Sequence, residues 1–510
     1  MSALWAAADV ARAVSAKTND EWCAWRVEID SRKVQAGDLF IALKGENFDG
    51  HDFVEKAFAA GAIAAIVEKK LDCGGNQLVV PDALKALENL AKYNRLRIHN
   101  LGKAKIIGIT GSVGKTSTKE MLRLALSAHG KVHATSGNYN NHIGTPLNLA
   151  NMPLDADFGV FEMGMNHAGE ISHLTHLVCP HIAIITRVEA AHLEFFAGIE
   201  EIAAAKAEIF EGLLPDGMAV INADQPYFGS LTYPCHPREG GDLKTQAPSL
   251  HLAIDPRLRG DDNGGGGNEK DGLKYNTITF GENETADCRL LSYTATTNGC
   301  AIAAEIFGHK MAYKLAATGR HWAVISLSVL AVCQALRLDL QKSAAALASF
   351  REVEGRGRVY PIAVAGGTAL IIDDSYNASP ASMRAAFAKT AEIWAANNAQ
   401  LVTKTCIIGR KIAILGKMLE LGATAPAIHA DLAHDLVAHG FDVIYSTGDL
   451  MLHLQNALPQ NMRGTHKNNV EDLLPEIKIH ANDVVLIKGS HGSKIYTLAQ
   501  ELLKRKENAI

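Results

Sequence analysis

Short apolar runs recur along the chain, each closing on polar or glycine residues and each followed by a stretch with helical spacing. Up to about residue 83 the runs are "DLFIALKG" and "AAIVEK", with the helix-like "GHDFVEKAFAAGA" between them. A second group holds "KIIGIT", "FGVFEMG", "IAIITRV" and "GMAVINAD", and a third, from about residue 346, holds "ALIIDDSYN", "KIAILGKM", "DVIYSTGD" and "DVVLIKGSHGS". Alternation of apolar strand and amphipathic helix predicts an α/β architecture with largely parallel sheets. The expected domains are 1–83, 84–345 and 346–510. Polar residues close nearly every run, and in open α/β sheets ligands collect at the carboxyl ends of strands. Two such sheets would face each other across a cleft.

One stretch breaks the pattern. Pro234 to Gly272 is rich in Gly, Pro and charge, holds four consecutive glycines near its end and contains P-R-x-x-G-D twice, from Pro237 and from Pro256. It reads as a disordered insertion in the middle domain. Length agrees with several domains, since 510 residues exceed one ordinary core. With 47% hydrophobic residues, 21% charged residues and a formal net charge of -5, the composition is globular and argues against broad nucleic-acid binding. The eight cysteines stand singly with no C-x-x-C pair, which predicts reduced thiols and no zinc site. The amino-terminal "MSALWAAADVARAV" has no basic lead-in, and no run reaches the roughly 18 apolar residues of a membrane span. A soluble, cytoplasmic protein is expected.

The chemistry begins at "KIIGITGSVGKTSTKEM". This is a shortened phosphate loop, G-x-x-G-K-[ST], between a strand and a helix. Gly111, Ser112, Val113, Gly114, Lys115, Thr116 and Ser117 are the candidate nucleotide contacts. The glycines let backbone N–H groups turn toward phosphate oxygens and the helix adds its positive end. Lys115 would reach the β/γ-phosphates and Thr116 would hold Mg²⁺. Glu162 closes a strand where such proteins place a magnesium carboxylate, and His192 lies in "EAAHLEFF". In "IEEIAAAKAEIFEGLL" helical spacing puts Lys206 on the apolar face. A bare ammonium there is costly. Spacing alone favours snorkelling or pairing over chemical modification.

Taken together these blocks resemble the Mur ligases, which add amino acids to the peptidoglycan precursor. The likeness spans nearly the whole chain outside the insertion. It rests on "DSRKVQAGDLFIALKGENFDGHDF", "GITGSVGKTSTKEM", "GNYNNHIGTPLNL", "FEMGMNHAGEI", "AHLEFFAGIEEIAAAKAEIF", "DDSYNASPASMRAA", "ILGKMLELG" and "VVLIKGSHGS". The first block is shared with the MurE branch. "DDSYNASP" and the absence of D-N-P-R favour the branch that joins D-alanyl-D-alanine to UDP-N-acetylmuramoyl-tripeptide. The resemblance implies a central P-loop ATPase domain, a C-terminal Rossmann-like domain, and an ADP-forming ligase active as a monomer in cell-wall synthesis. ATP and Mg²⁺ would be its cofactors.

The same likeness implies that Lys206 is carbamylated and holds Mg²⁺ with Glu162 and His192, and that Asn140 and Asn141 contact the γ-phosphate. It implies an acyl phosphate on the tripeptide carboxylate, attacked by the dipeptide amine, with domain closure excluding water. Ser31, Arg32 and Lys44 become candidates for the UDP end, and Arg356 and Asp374 for the nucleotide. Ser375, Tyr376, Asn377, Lys488 and Ser490 become candidates on the substrate side. Departures stand at Trp322 and Ile325, where the family has asparagines, at Lys417 for aspartate and at Arg187 for asparagine. The rivals are another ligase of the superfamily, such as MurE or a folylpolyglutamate synthase, a P-loop switch, and a silent scaffold. The guanine-reading N-K-x-D of a GTPase is absent.

Overall fold

The computed structural model describes residues 3–18, 20–45, 47–189, 194–232, 275–296, 299–402 and 408–504. His192 and the Pro234–Gly272 insertion lie outside them. Three α/β units follow one another. The first has a four-stranded parallel sheet, Arg26–Glu28, Asp38–Ile41, Ala64–Val67 and Asn76–Val79 in that spatial order, beside a short antiparallel pair, Trp5–Ala6 with Cys23–Ala24. Helix Ala83–Asn100 ties it to the second unit. Its Ala83, Ala86, Leu87 and Leu90 enter the first core and its Ala91 and Ile98 the next.

The second unit is a nine-stranded sheet. Its centre is parallel, and strand Lys105–Thr110 lies between Ile182–Ile185 and Phe158–Glu162. Strands such as Ile182–Ile185 are buried at every position because helices cover both faces, which is why they read as unbroken apolar runs. The far edge is different. Cys288–Thr296, Gly299–Ile306 and His309–Leu315 form an antiparallel meander. Their inward Ile302, Ala304, Ile306, Met311, Tyr313 and Leu315 pack in the core that also holds Leu327 and Leu330 of helix Arg320–Ala335. Only one face is covered, so burial alternates along these strands.

The third unit is a six-stranded sheet, parallel except for edge strand Arg358–Val364. Its order places Gly367–Asp374, Val484–Lys488 and Lys411–Gly416 side by side. The architecture is thus α/β in three domains with largely parallel sheets. Among the described residues six cysteines are free, and no helix is long and apolar enough to cross a membrane.

Candidate active site

Strand register assembles the site. Ile109 pairs with Glu162 and Ile185 with Thr110, so the phosphate loop, Glu162 and Thr186 emerge together at the carboxyl end of the sheet. Gly111 has φ +147° and Gly114 φ +88°, backbone that side chains resist. The loop is braced from Thr186–Glu189. Ser112 N donates to Arg187 O at 2.7 Å and Thr186 Oγ1 donates to Val113 O at 2.6 Å. Ser112 Oγ accepts from Glu189 N at 3.0 Å. Helix Lys115–Ser127 then starts directly from the loop.

Lys115 curls over its own loop, donating to Gly111 O at 2.6 Å. Burial lowers its pKa, against the pull of Glu162, and Arg356 from the third domain lowers it further. Glu162 is almost wholly buried. Its Oε1 accepts from Asn140 Nδ2 at 2.8 Å and from Thr116 Oγ1 at 3.4 Å, while Oε2 is buried with no hydrogen-bond partner. An orphaned carboxylate oxygen costs free energy unless a ligand takes it. Together with the Thr116 hydroxyl it offers hard oxygen donors, which suit magnesium, an ion that fills its remaining positions with water and phosphate oxygens. Among the described residues no group of three His, Cys, Asp or Glu side chains gathers to hold a metal.

Lys206 does not snorkel. It closes helix Ile199–Ala207 at 1% exposure, and its pKa is driven well below the ordinary value by burial first and by Lys115 second, with partial relief from Glu208. Snorkelling, one of the outcomes spacing favoured, would have kept the ammonium in water. The interior instead favours the neutral amine.

The third domain supplies the opposite wall. Register sets Asp374 beside Lys488, and Lys488, buried, donates to Asp374 Oδ2 at 2.7 Å and to Asn377 O at 2.9 Å. Arg356 stacks over the Tyr376 ring at 4.5 Å. Ser490 Oγ accepts from Leu419 N at 3.1 Å. Between the walls lies a cavity of about 1390 Å³. Ser112 to Ser117, Asn140, Asn141 and Glu162 line it from one side, and Arg356, Asp374, Tyr376, Asn377, Lys488 and Ser490 from the other. Gly111, Ser375 and Lys206 are not on its surface; Ser375 is buried behind it, its Oγ donating to Asp373 Oδ1 at 2.5 Å.

Ser31, Arg32 and Lys44 stand apart in the first domain. Arg32 is exposed and grips Asp30 through two hydrogen bonds of 2.8 Å. Its neighbour Lys33 donates to Tyr139 OH at 2.9 Å, linking that surface to the segment that carries Asn140 and Asn141. Asn141 Oδ1 accepts from Gly144 N at 2.9 Å, at the start of the next helix, Gly144–Ala150. Of the departures, Lys417 pairs with Asp449 at 2.9 Å away from the cavity wall, while Arg187 pairs with Glu189 on it. Ile325 sits against Gly114, and Trp322 is buried with its indole N–H unpartnered.

Arg320, His321 and Lys389 are among the wall residues that escaped the sequence reading. Arg320 forms a two-bond pair with Glu282. His321 is held down to about 3 by burial, then by Lys389 and Lys488. Lys389 is buried and donates to Glu352 Oε1 and Gly357 O, each at 2.6 Å. The signal that exposed Lys206 also exists for Lys389, a lysine among Met383, Ala386, Phe387 and Ile393 on an apolar helix.

Comparison with known proteins agrees with this layout. Residues 109–238 match the Mur ligase middle domain, 26–101 the Mur ligase family catalytic domain and 355–491 the Mur ligase glutamate ligase domain. The chain is 34% identical to the UDP-N-acetylmuramoyl-tripeptide--D-alanyl-D-alanine ligase of Rickettsia prowazekii (strain Madrid E), over 92% of this chain and 93% of the relative. A crystal structure of MurF from Acinetobacter baumannii superposes with a TM-score of 0.78 at 27% identity, covering 98% of this chain and 99% of that one. MurF from Thermotoga maritima in complex with ADP gives 0.70 at 28% identity, over 95% and 98% of the two chains.

Proposed function

Because the chain belongs to the Mur ligase family, we propose that it joins D-alanyl-D-alanine to UDP-N-acetylmuramoyl-tripeptide with cleavage of ATP to ADP. The observation that carries this reading is the two-walled cavity. An ATP-dependent amide ligase must bring a nucleotide, a carboxylate and an amine into one water-poor space. Here the phosphate loop and Glu162 face the Asp374–Lys488 pair across about 1390 Å³.

ATP enters as a substrate. Gly111 turns the backbone so that the amides of Ser112 to Thr116 receive its phosphates, and Lys115 leaves the Gly111 carbonyl to reach them. Thr116 and Glu162, with His192 and a carbamylated Lys206, would hold magnesium, which supplies Lewis-acid charge for the transferred phosphoryl group. Burial prepares Lys206 for that modification. The neutral amine adds carbon dioxide, a proton leaves as the N–C bond forms, and a carbamate anion results.

The tripeptide's terminal carboxylate attacks the γ-phosphorus and ADP leaves. The dipeptide's amine then adds to the acyl carbon, loses a proton, and phosphate departs with its bridging oxygen. Ser31, Arg32 and Lys44 hold the UDP end, Arg356 and Asp374 face the nucleotide, and Tyr376, Asn377, Lys488 and Ser490 form the dipeptide side, with Ser375 bonded to Asp373 behind them. Asn140 and Asn141, which line the same cavity as the phosphate loop, are the contacts for the γ-phosphate. The family likeness carries with it a monomer working in the cytoplasm.

The test is phosphate release from ATP with UDP-N-acetylmuramoyl-tripeptide in its diaminopimelate and lysine forms, with and without D-alanyl-D-alanine. Release should require both substrates and yield the pentapeptide by mass. Fast release without the dipeptide would contradict exclusion of water by domain closure. A folded protein that turns over neither tripeptide would overturn the proposal.

A further inference from the structure

The reaction makes no use of one buried cation. Lys119 lies one turn beyond Lys115 on the helix that follows the phosphate loop, at 1% exposure. Leucine or methionine would fill that volume without desolvating a charge, so the ammonium is kept against a cost. Its Nζ donates to Thr135 O at 2.8 Å and Gly137 O at 3.2 Å, and lies 3.2 Å from Glu120 Oε1.

Those two carbonyls open the segment that leaves strand Val132–Ala134 and runs through Asn141. From it, two side chains reach Glu162. Thr135 Oγ1 accepts from Glu162 N at 3.1 Å, and Asn140 Nδ2 donates to Glu162 Oε1 at 2.8 Å. Asn140 O accepts from Gly164 N at 2.8 Å, pinning the segment to the chain just past Glu162. The ammonium and the carboxylate are therefore joined through one short loop. Removing the donor leaves the buried Thr135 carbonyl unpaired. The loop then shifts toward water, and Asn140 goes with it.

We propose that Lys119 is a positioning residue for divalent-cation binding: by clamping Thr135 and Gly137 it orients Glu162 through Asn140. This rests on the reading of Glu162 as a cation ligand. The residue touches neither substrate nor metal, so its effect belongs to the metal-dependent part of nucleotide affinity. Partners that orient a metal ligand alter metal affinity by about 10-fold to about 100-fold.

The experiment is calorimetric titration with ADP, once in magnesium and once in EDTA. Wild-type protein should bind ADP more tightly in magnesium. Lys119→Met should shrink that increment about tenfold, keep its affinity in EDTA and still unfold in one cooperative thermal transition, while Lys119→Arg recovers part of the increment. The double variant K119M/N140A should lose no more of the increment than N140A alone, because both act on one carboxylate. An absent magnesium increment in wild type overturns the reading of Glu162 itself. A full increment in K119M overturns the role of Lys119. Equal loss of ADP binding in magnesium and EDTA reduces Lys119 to a packing residue and overturns it as well.

Discussion

Replacing Gly111 by alanine tests the phosphate loop at its tightest point. At φ +147° the backbone lies where glycine is almost the sole occupant. A Cβ there would stand 2.0 Å from Thr186 Oγ1 and 3.2 Å from the Arg187 nitrogen and oxygen. The hydroxyl cannot simply turn away, since it donates to Val113 O at 2.6 Å and contacts Thr110 O at 3.2 Å. Backbone strain contributes about 1–3 kcal/mol and the displaced hydroxyl bond about 1 kcal/mol more. In the free protein the loop relaxes by shifting, so stability falls by less than this sum. Nucleotide phosphates require the loop amides back in place, and the strain returns on binding. At about 1.4 kcal/mol per factor of ten, a penalty of about 2–4 kcal/mol weakens ADP binding about 30-fold to about 700-fold.

Calorimetric titration with ADP, beside thermal unfolding, measures it. Gly114→Ala is the internal comparison: φ is +88°, and the nearest obstacle is the flexible end of Ile325 at 3.2 Å, so the backbone term alone operates. It should weaken binding less than Gly111→Ala does. Adding Thr186→Ala to Gly111→Ala removes the closest contact and should restore part of the affinity. ADP binding by Gly111→Ala within about threefold of wild type, with the fold intact, would refute the claim that this loop receives the phosphates.

Other outcomes follow from the same geometry. His321, held down to about 3, stays neutral in the folded protein, whereas the unfolded ring takes a proton below about 6.5. Its contribution to stability is therefore whole above pH 6.5 and lost as pH falls toward 3. His321→Gln should gain about 1–2 kcal/mol on wild type between pH 6.5 and 4.5, a figure discounted for a ring that faces cavity water, measured by urea unfolding at both values. Lys488→Met breaks the bonds to Asp374 and Asn377 and should lower stability by about 2 kcal/mol, below the usual range for a buried pair because Asp374 is partly exposed. Asp374→Asn in the same chain should recover part of it. Arg32→Ala should leave the melting temperature unchanged and raise KM for the UDP-linked substrate about tenfold, with KM for ATP unaltered.

What could be read along the chain is what depends on near neighbours. Strands of the parallel sheets, such as Ile182–Ile185 and Val484–Lys488, are buried on both faces and stand out as apolar runs. The phosphate loop is a local device, its glycines, lysine and hydroxyl lying in consecutive positions. The burial of Lys206 was visible in helical spacing, but its surroundings were not, and the preference for snorkelling failed because the helix end is covered completely. The meander from Cys288 to Leu315 went unassigned because half of each strand faces water and its apolar residues alternate. His321 and Lys389 became wall residues only when helices from two domains met.

By itself the sequence determined the three α/β units, the phosphate loop between strand and helix, and the polar strand ends where ligands gather. Periodicity and short-range backbone chemistry specify these without reference to distant contacts. The tertiary structure decided that Glu162 stands beside the loop, that Asp374 meets Lys488, and that Lys119 grips the segment carrying Asn140. Strand order and register set the first two, and a reach across 16 residues of chain sets the third. The physical reason is common to all three: which residues become neighbours across a sheet or a cleft depends on how whole elements bury their apolar faces together, and no local pattern encodes that choice.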